Sequence, residues 1–338
     1  MKWHTATVMF MILVHGCVST TPTVPPPPLS RATHPRYAPT PVEEQVANQL
    51  IKDIRTYGKE VSQLSPQQVS APTKSVAVVW SPEKTPLLQT VLSRSANVTA
   101  NTILLEVSDQ QLKRSAQALS NIVARDPLFD WIVSAQKMGF RVFLTTPFRS
   151  IAGYEVDIFN PEVKKGLLSF YRNIARYPLN GIYMNDISYA MKEGITPYAI
   201  ATYQDLFSEK LETRLSQTGH SLWRFAGLKS RHLTKLLSEI WAQIQVVSPE
   251  MEFGIGVPEI LLTDPAKGLM ETSLDYLELK EAQFDFYVVA SQGTGAQSVS
   301  ESLLKYGKLD KVWFQRTRKE KITSLLEMPI QGVVISSP

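Results

Sequence analysis

The sequence predicts an α/β fold, a single (β/α)8 barrel of the TIM type with its last helix missing, and three observations lead there. Eight short apolar segments rich in Val, Ile, Phe and Tyr are spread over residues 75–338. Their apolar character is continuous rather than alternating, which marks strands buried on both faces. Amphipathic stretches separate the segments, so neighbouring strands must run parallel, and the span matches the roughly 250 residues of an ordinary barrel.

Ahead of this span, Met1 to Gly16 carries Lys2 and His4 before an apolar run from Val8 to Val14. That run is long enough for an export signal and too short to cross a bilayer. Val14, His15, Gly16 and Cys17 then read as a lipobox, and Cys17 is the sole cysteine of 338 residues. The expectation is an acylated Cys17 and no internal disulfide. Val18 in the second mature position points to the periplasmic face of the bacterial outer membrane. Residues 17–42 lack Asp and Glu and are dense in proline, including Pro25 to Pro28, so they read as an extended tether. From Glu43 to Leu64, Val46, Leu50, Ile54, Tyr57 and Val61 recur at helical spacing. That helix is expected to lie on the domain and cover the gap left by the missing last helix.

The expected strands are Ser75 to Trp80, Thr102 to Val107, Arg141 to Thr146, Gly181 to Asn185, Glu252 to Val257, Phe284 to Ala290, Lys311 to Gln315 and Gly332 to Ser336. Thr85 with Pro86, Asp126 with Pro127 and Asn160 with Pro161 each place a capping oxygen before a proline, the signature of a helix start. Two helices, Tyr198 to Ser216 and Ser230 to Val247, joined by a loop around Gly219 to Gly227, are expected between the fourth and fifth strands.

In such a barrel the site is built at the carboxyl ends of the strands. This selects Glu106 and Asp109 after the second strand, Arg149 after the third, Asn185 and Asp186 after the fourth, and Glu259 after the fifth. Gln292 follows the sixth strand, and Gln315 with Arg316 the seventh. Carboxylates from different strands facing one cavity are what glycoside hydrolysis requires. Asp186 is the lead candidate, with Glu193, Glu106 or Glu259 as the second carboxylate. Asn185, Tyr189, Trp223, Arg149, Gln315 and Trp313 are the expected substrate contacts, the aromatic rings serving as platforms for the apolar faces of sugars.

Other chemistries lack their signatures. His34, His220 and His232 are the histidines beyond the signal and have no ligand spacing, so no metal site is expected. Nucleophile-elbow, phosphate-loop and dinucleotide motifs are absent, and no cofactor is called for. A net charge of +4 does not suggest a nucleic-acid partner.

The order of elements resembles the carboxy-terminal glycoside-hydrolase-like domain of the poly-β-1,6-N-acetylglucosamine deacetylase lipoproteins. Its carriers are Thr102 to Asp109, Arg141 to Pro147, Phe159 to Val163, Gly181 to Asp186, Leu228 to Thr234, Phe284 to Tyr287 and Gln331 to Val334. The resemblance implies a barrel that cleaves a biofilm polysaccharide, with exopolysaccharide export machinery as a partner. The family's deacetylase domain has no counterpart here. Of the family's acidic pair after the fourth strand one member remains, as Asn185 and Asp186, and its seventh-strand Glu falls at Trp313. Three readings follow: an active glycosidase, a barrel that binds polysaccharide without cutting it, and a structural envelope lipoprotein.

Overall fold

A computed structural model describes residues 74–94, 100–118, 126–149, 156–211, 220–290, 301, 312–315, 325 and 330–335. The signal, Cys17, the tether and the helix expected over Glu43 to Leu64 lie outside the described residues, as do Gln292 and Arg316.

Eight strands pair in chain order into a closed parallel barrel, β1 returning to β8. They are β1 (Ser75–Trp80), β2 (Thr102–Glu106), β3 (Arg141–Pro147), β4 (Gly181–Asn185), β5 (Glu252–Pro258), β6 (Phe286–Ala290), β7 (Val312–Gln315) and β8 (Gly332–Ile335). The described helices are α1 (Leu88–Arg94), α2 (Asp109–Ala118), α3 (Pro127–Lys137), α4 (Pro161–Ile174), α5 (Pro197–Phe207), α6 (His220–Val247), α7 (Glu259–Thr263), α8 (Pro265–Thr272) and α9 (Tyr276–Ala282).

The strands are apolar throughout because each face packs on something different. Ile103, Leu105, Val142, Leu144, Ile182 and Met184 point outward into the core shared with the helices. Residues of the opposite parity, among them Ala77, Leu104, Phe143, Tyr183, Phe286 and Trp313, form a second cluster inside the barrel. Side-chain direction alternates along a strand, so one sequence run supplies both cores.

Helix starts follow their caps. Asp126 accepts from Leu128 N, Asn160 from Glu162 N and Val163 N, and Thr196 from Ala199 N, each just ahead of a proline at the first helical position. Thr85 and Pro86 depart from this pattern: α1 begins at Leu88, and the Thr85 carbonyl instead accepts the Trp80 indole N–H at 2.9 Å. The loop expected around Gly219 to Gly227 is also corrected, because α6 already starts at His220 and runs through Gly227. A mid-helix glycine costs about 1 kcal/mol, and the apolar face of α6, with Phe225, Leu233, Leu237, Ile240 and Ile244 buried, outweighs it.

The amino-terminal end of the barrel is closed by rings. Phe286 stacks on Trp313 with centroids 4.8 Å apart, and Phe143 meets both edge-on at 5.3 and 5.8 Å. Gly254 makes room for this plug, since a Cβ there would lie 2.2 Å from the Phe286 ring. Below the plug, Arg141 and Glu252 pair at 2.8 Å across the first residues of β3 and β5.

Candidate functional site

The carboxyl-terminal end of the same interior is open. A cavity of about 580 Å³ lies there, lined by residues from all eight strands. Inward strand positions supply part of its polar lining, Glu106 on β2, Thr145 on β3, Tyr183 and Asn185 on β4 and Gln315 on β7, with Asp186 immediately after β4; Ser81, Lys84, Thr85 and Ser188 add to it from the loops. Glu106, Thr145 and Tyr183 stand in register on three adjacent strands, which sets them side by side in one layer above the aromatic plug.

Asp186 has a φ of 50°, a left-handed conformation that Asp tolerates better than most side chains. This bend turns the chain out of the barrel directly after Asn185, placing Asp186 on the exposed rim. Burial raises the Asp186 carboxyl above the usual carboxylate range; Arg149 opposes that rise and Glu193 adds to it. Glu106 sits deeper. Burial raises it too, with the Lys84 ammonium pulling the other way. The Tyr183 hydroxyl holds its proton firmly, first through burial and then through the nearby charge of Glu106.

Lys84, which sequence reading passed over, is brought to the cavity by the loop after β1. Glu83 fixes that loop by accepting from Ser108 N at 2.8 Å and Ser108 Oγ at 2.7 Å. The loop after β4 is fixed by Lys229 on α6, a fully buried lysine whose Nζ donates to the carbonyls of Ala190, Met191 and Glu193 at 3.0 to 3.2 Å. Burial pushes Lys229 down to about 8, against the attraction of Glu193.

The residues expected from sequence separate into two groups. Glu106, Asn185, Asp186 and Gln315 line one cavity, and the other described candidates do not. One oxygen of Glu193 is 2.9 Å from Arg149 Nη2 and the other accepts from Ala190 N at 2.7 Å. Burial raises Glu193, but the Ala190 N–H, Arg149 and Lys229 together hold it below its ordinary value. Glu193 and Arg149 thus form an ion pair that braces the loop carrying Asp186. Glu259 is buried as the first residue of α7, and it is its neighbour Pro258 that lines the cavity. Asp109 begins α2 and does not line the cavity.

Each aromatic platform proposed from sequence lies away from the cavity lining. Tyr189 is buried beneath the β4 loop, its hydroxyl donating to Val156 O at 2.7 Å and its ring facing Arg149. Trp223 is 45% exposed on α6 and outside the cavity. Trp313 is 2% exposed, part of the plug below the site. For β7 the signal missed was depth along the strand: Trp313 and Gln315 point the same way, and only the second is near enough to the strand end to reach the opening.

No family model and no curated protein sequence matches this chain. Among solved structures, it is similar to the PgaB (BpsB) glycoside hydrolase domain from Bordetella bronchiseptica. The TM-score is 0.57, with 14% identity over 79% of this chain and 94% of that one. It is also similar to a cold-adapted β-galactosidase from Rahnella sp. R3, with a TM-score of 0.50 and 15% identity over 79% of this chain. The match spans about half of the β-galactosidase, 51% of its length. At these identities the likeness establishes the architecture, and this chain has the TIM-type (β/α)8 fold on which those two glycoside hydrolases are built.

Proposed function

We propose that this protein is an envelope-anchored glycoside hydrolase that cleaves an extracellular polysaccharide, with β-1,6-linked N-acetylglucosamine polymer as the substrate class. The observation that carries this reading is that two carboxylates from different parts of the barrel, Glu106 at the end of β2 and Asp186 just after β4, line one cavity at its carboxyl end. Its volume falls within the range of small-ligand sites, roughly 300 to 1,000 Å³. Of the three partners considered for Asp186, Glu106 alone lines that cavity with it.

The chemistry divides by depth. Glu106 is recessed and disposed by burial to keep its proton, so it acts as the general acid on the glycosidic oxygen. Asp186, exposed on the rim beside Arg149, acts on the opposite side of the ring. It either attacks the anomeric carbon or takes the proton of the water that does. The bond to the leaving oxygen breaks as Glu106 protonates it. No step calls for a cofactor or metal.

The anchor is part of the proposal: an acylated Cys17 on the periplasmic face of the outer membrane, with the Pro-rich tether reaching toward exopolysaccharide export machinery. Labelled palmitate should enter the parent protein and be absent from Cys17→Ala.

A second reading, a barrel that holds the polysaccharide without cutting it, is favoured by Lys84, whose charge works against Glu106 keeping its proton. Product analysis decides between them. The full-length protein is incubated with acetylated and partly deacetylated polymer, and the hydrolase reading expects short oligosaccharides from the parent and none from Asp186→Asn. Retained binding without products selects the second reading, and unchanged turnover in Asp186→Asn removes Asp186 from the mechanism.

A further inference from the structure

The floor of the cavity holds polar groups that the proton transfers do not use. Thr145 is 4% exposed, yet its hydroxyl oxygen has no hydrogen-bond partner among the described residues, and neither has the side-chain oxygen of Asn185. Both lie on adjacent strands, Thr145 opposite Tyr183 and Asn185 opposite Pro147, and both face the cavity. Beside them the Tyr183 hydroxyl reaches across to β5, where Gly256 leaves it space: a Cβ at position 256 would stand 3.0 Å from that oxygen.

A buried polar group without a partner costs about 1 to 3 kcal/mol, and folded proteins carry few of them. Valine has the shape of threonine without the hydroxyl and would fill position 145 free of that penalty. The remaining chemistry is specific. The Asn185 oxygen can only accept, the Thr145 hydroxyl can donate and accept, and the Tyr183 hydroxyl is a donor that stays protonated. Among the described residues Glu106 is the carboxylate level with them, Asp186 standing further out on the rim, and the Lys84 charge acts on Glu106, so a cationic ligand gains little at this depth.

We infer that Thr145 and Asn185, flanked by Tyr183, form a specificity-determining subsite that reads the hydroxyl or acylamino N–H of an uncharged pyranose ring. The inference rests on the glycan reading above and narrows it to neutral units, N-acetylated rather than free-amine, at the floor of the cavity. Thr145 accepts or donates one hydrogen bond to the ring and Asn185 accepts a second.

The test pairs two measurements on the full-length protein: calorimetric titration and thermal melting without ligand, for the parent, Thr145→Val and Thr145→Ser. The probes are a fully acetylated and a fully deacetylated β-1,6-linked glucosamine oligomer. The expected result is tighter binding of the acetylated oligomer by the parent and about tenfold weaker binding by Thr145→Val. The valine variant should melt no lower than the parent, and Thr145→Ser should keep the parent's affinity. Thr145→Val binding as well as the parent overturns the subsite and leaves the glycan reading standing. So does a valine variant that melts lower and is rescued by serine, since the hydroxyl is then structural. Tighter binding of the deacetylated oligomer overturns the neutral-ring specificity. If the parent binds neither oligomer, the glycan reading itself falls and takes the subsite's ligand class with it.

Discussion

The two ends of the barrel interior are built from the same strands and solve opposite problems. At the amino-terminal end Phe143, Phe286 and Trp313 fill the interior, and glycines at inward positions give the rings their space. Two residues further along three of the strands, Glu106, Thr145 and Gln315 stand over a cavity, and the Thr145 hydroxyl there has no hydrogen-bond partner among the described residues. Packing is spent on one end and chemistry on the other, the division expected of this architecture. Changes at the aromatic plug should therefore alter stability with little direct effect on the reaction, and changes at the cavity should do the reverse.

The largest expected effect is at the opening. Asp186→Asn should lower kcat by about 10²- to 10⁴-fold, the usual contribution of a positioned acid or base, while its melting temperature stays near the parent's. A melting temperature that falls along with activity would break the separation between the two ends. At the other end, Gly254→Ala drives a methyl into the Phe286 ring and should destabilise by about 3 kcal/mol. For a domain of this size that is a drop of roughly 6 to 12 °C in Tm, and calorimetry that finds none would mean the plug can relax around it.

Lys229 sits between these extremes, since it stabilises the loop that carries Asp186 without lining the cavity. Lys229→Met leaves three carbonyls without their donor and should cost about 2 kcal/mol. Its own titration has a defined sign. Burial holds this lysine at about 8 in the folded protein, below its ordinary value of 10.5, so between those values the folded state binds fewer protons than the unfolded state. The Lys229 contribution to stability therefore rises with pH across that window and is flat below it. Subtracting the Lys229→Met melting profile from the parent's isolates this term, and a difference that is level from pH 8 to 10.5 would contradict the assignment.

The smallest effect expected is electrostatic. Removing the ammonium of Lys84 takes away the charge that draws Glu106 toward ionisation, so Lys84→Met should move the alkaline limb of kcat/KM to higher pH. Movement to lower pH would place the limb on another group.

Much of this was legible in the sequence, for physical reasons that differ by element. The strand starts at Ser75, Thr102, Arg141, Gly181, Glu252 and Gly332 could be read because continuous apolar runs end at polar residues. Asp186 was legible as a carboxylate straight after a buried run, and Glu106 by the same logic. That Trp223 and Tyr189 lie outside the cavity lining was not legible, because aromatic character does not report which face of an element a ring occupies. Glu193 and Lys229 could not be paired with their partners, since Arg149 and the β4 loop meet them only through tertiary contact. Thr145 was within reach: counting by two from Phe143 puts it on the interior face, level with Glu106.

The most direct test is product analysis of the Glu106→Gln variant against β-1,6-linked N-acetylglucosamine polymer and an aryl glycoside whose leaving group needs no protonation. A recessed acid that shares the cavity with Asp186 predicts loss of polymer cleavage with retention of aryl-glycoside turnover. Polymer cleavage at the parent's rate by Glu106→Gln would contradict the pairing on which this account stands.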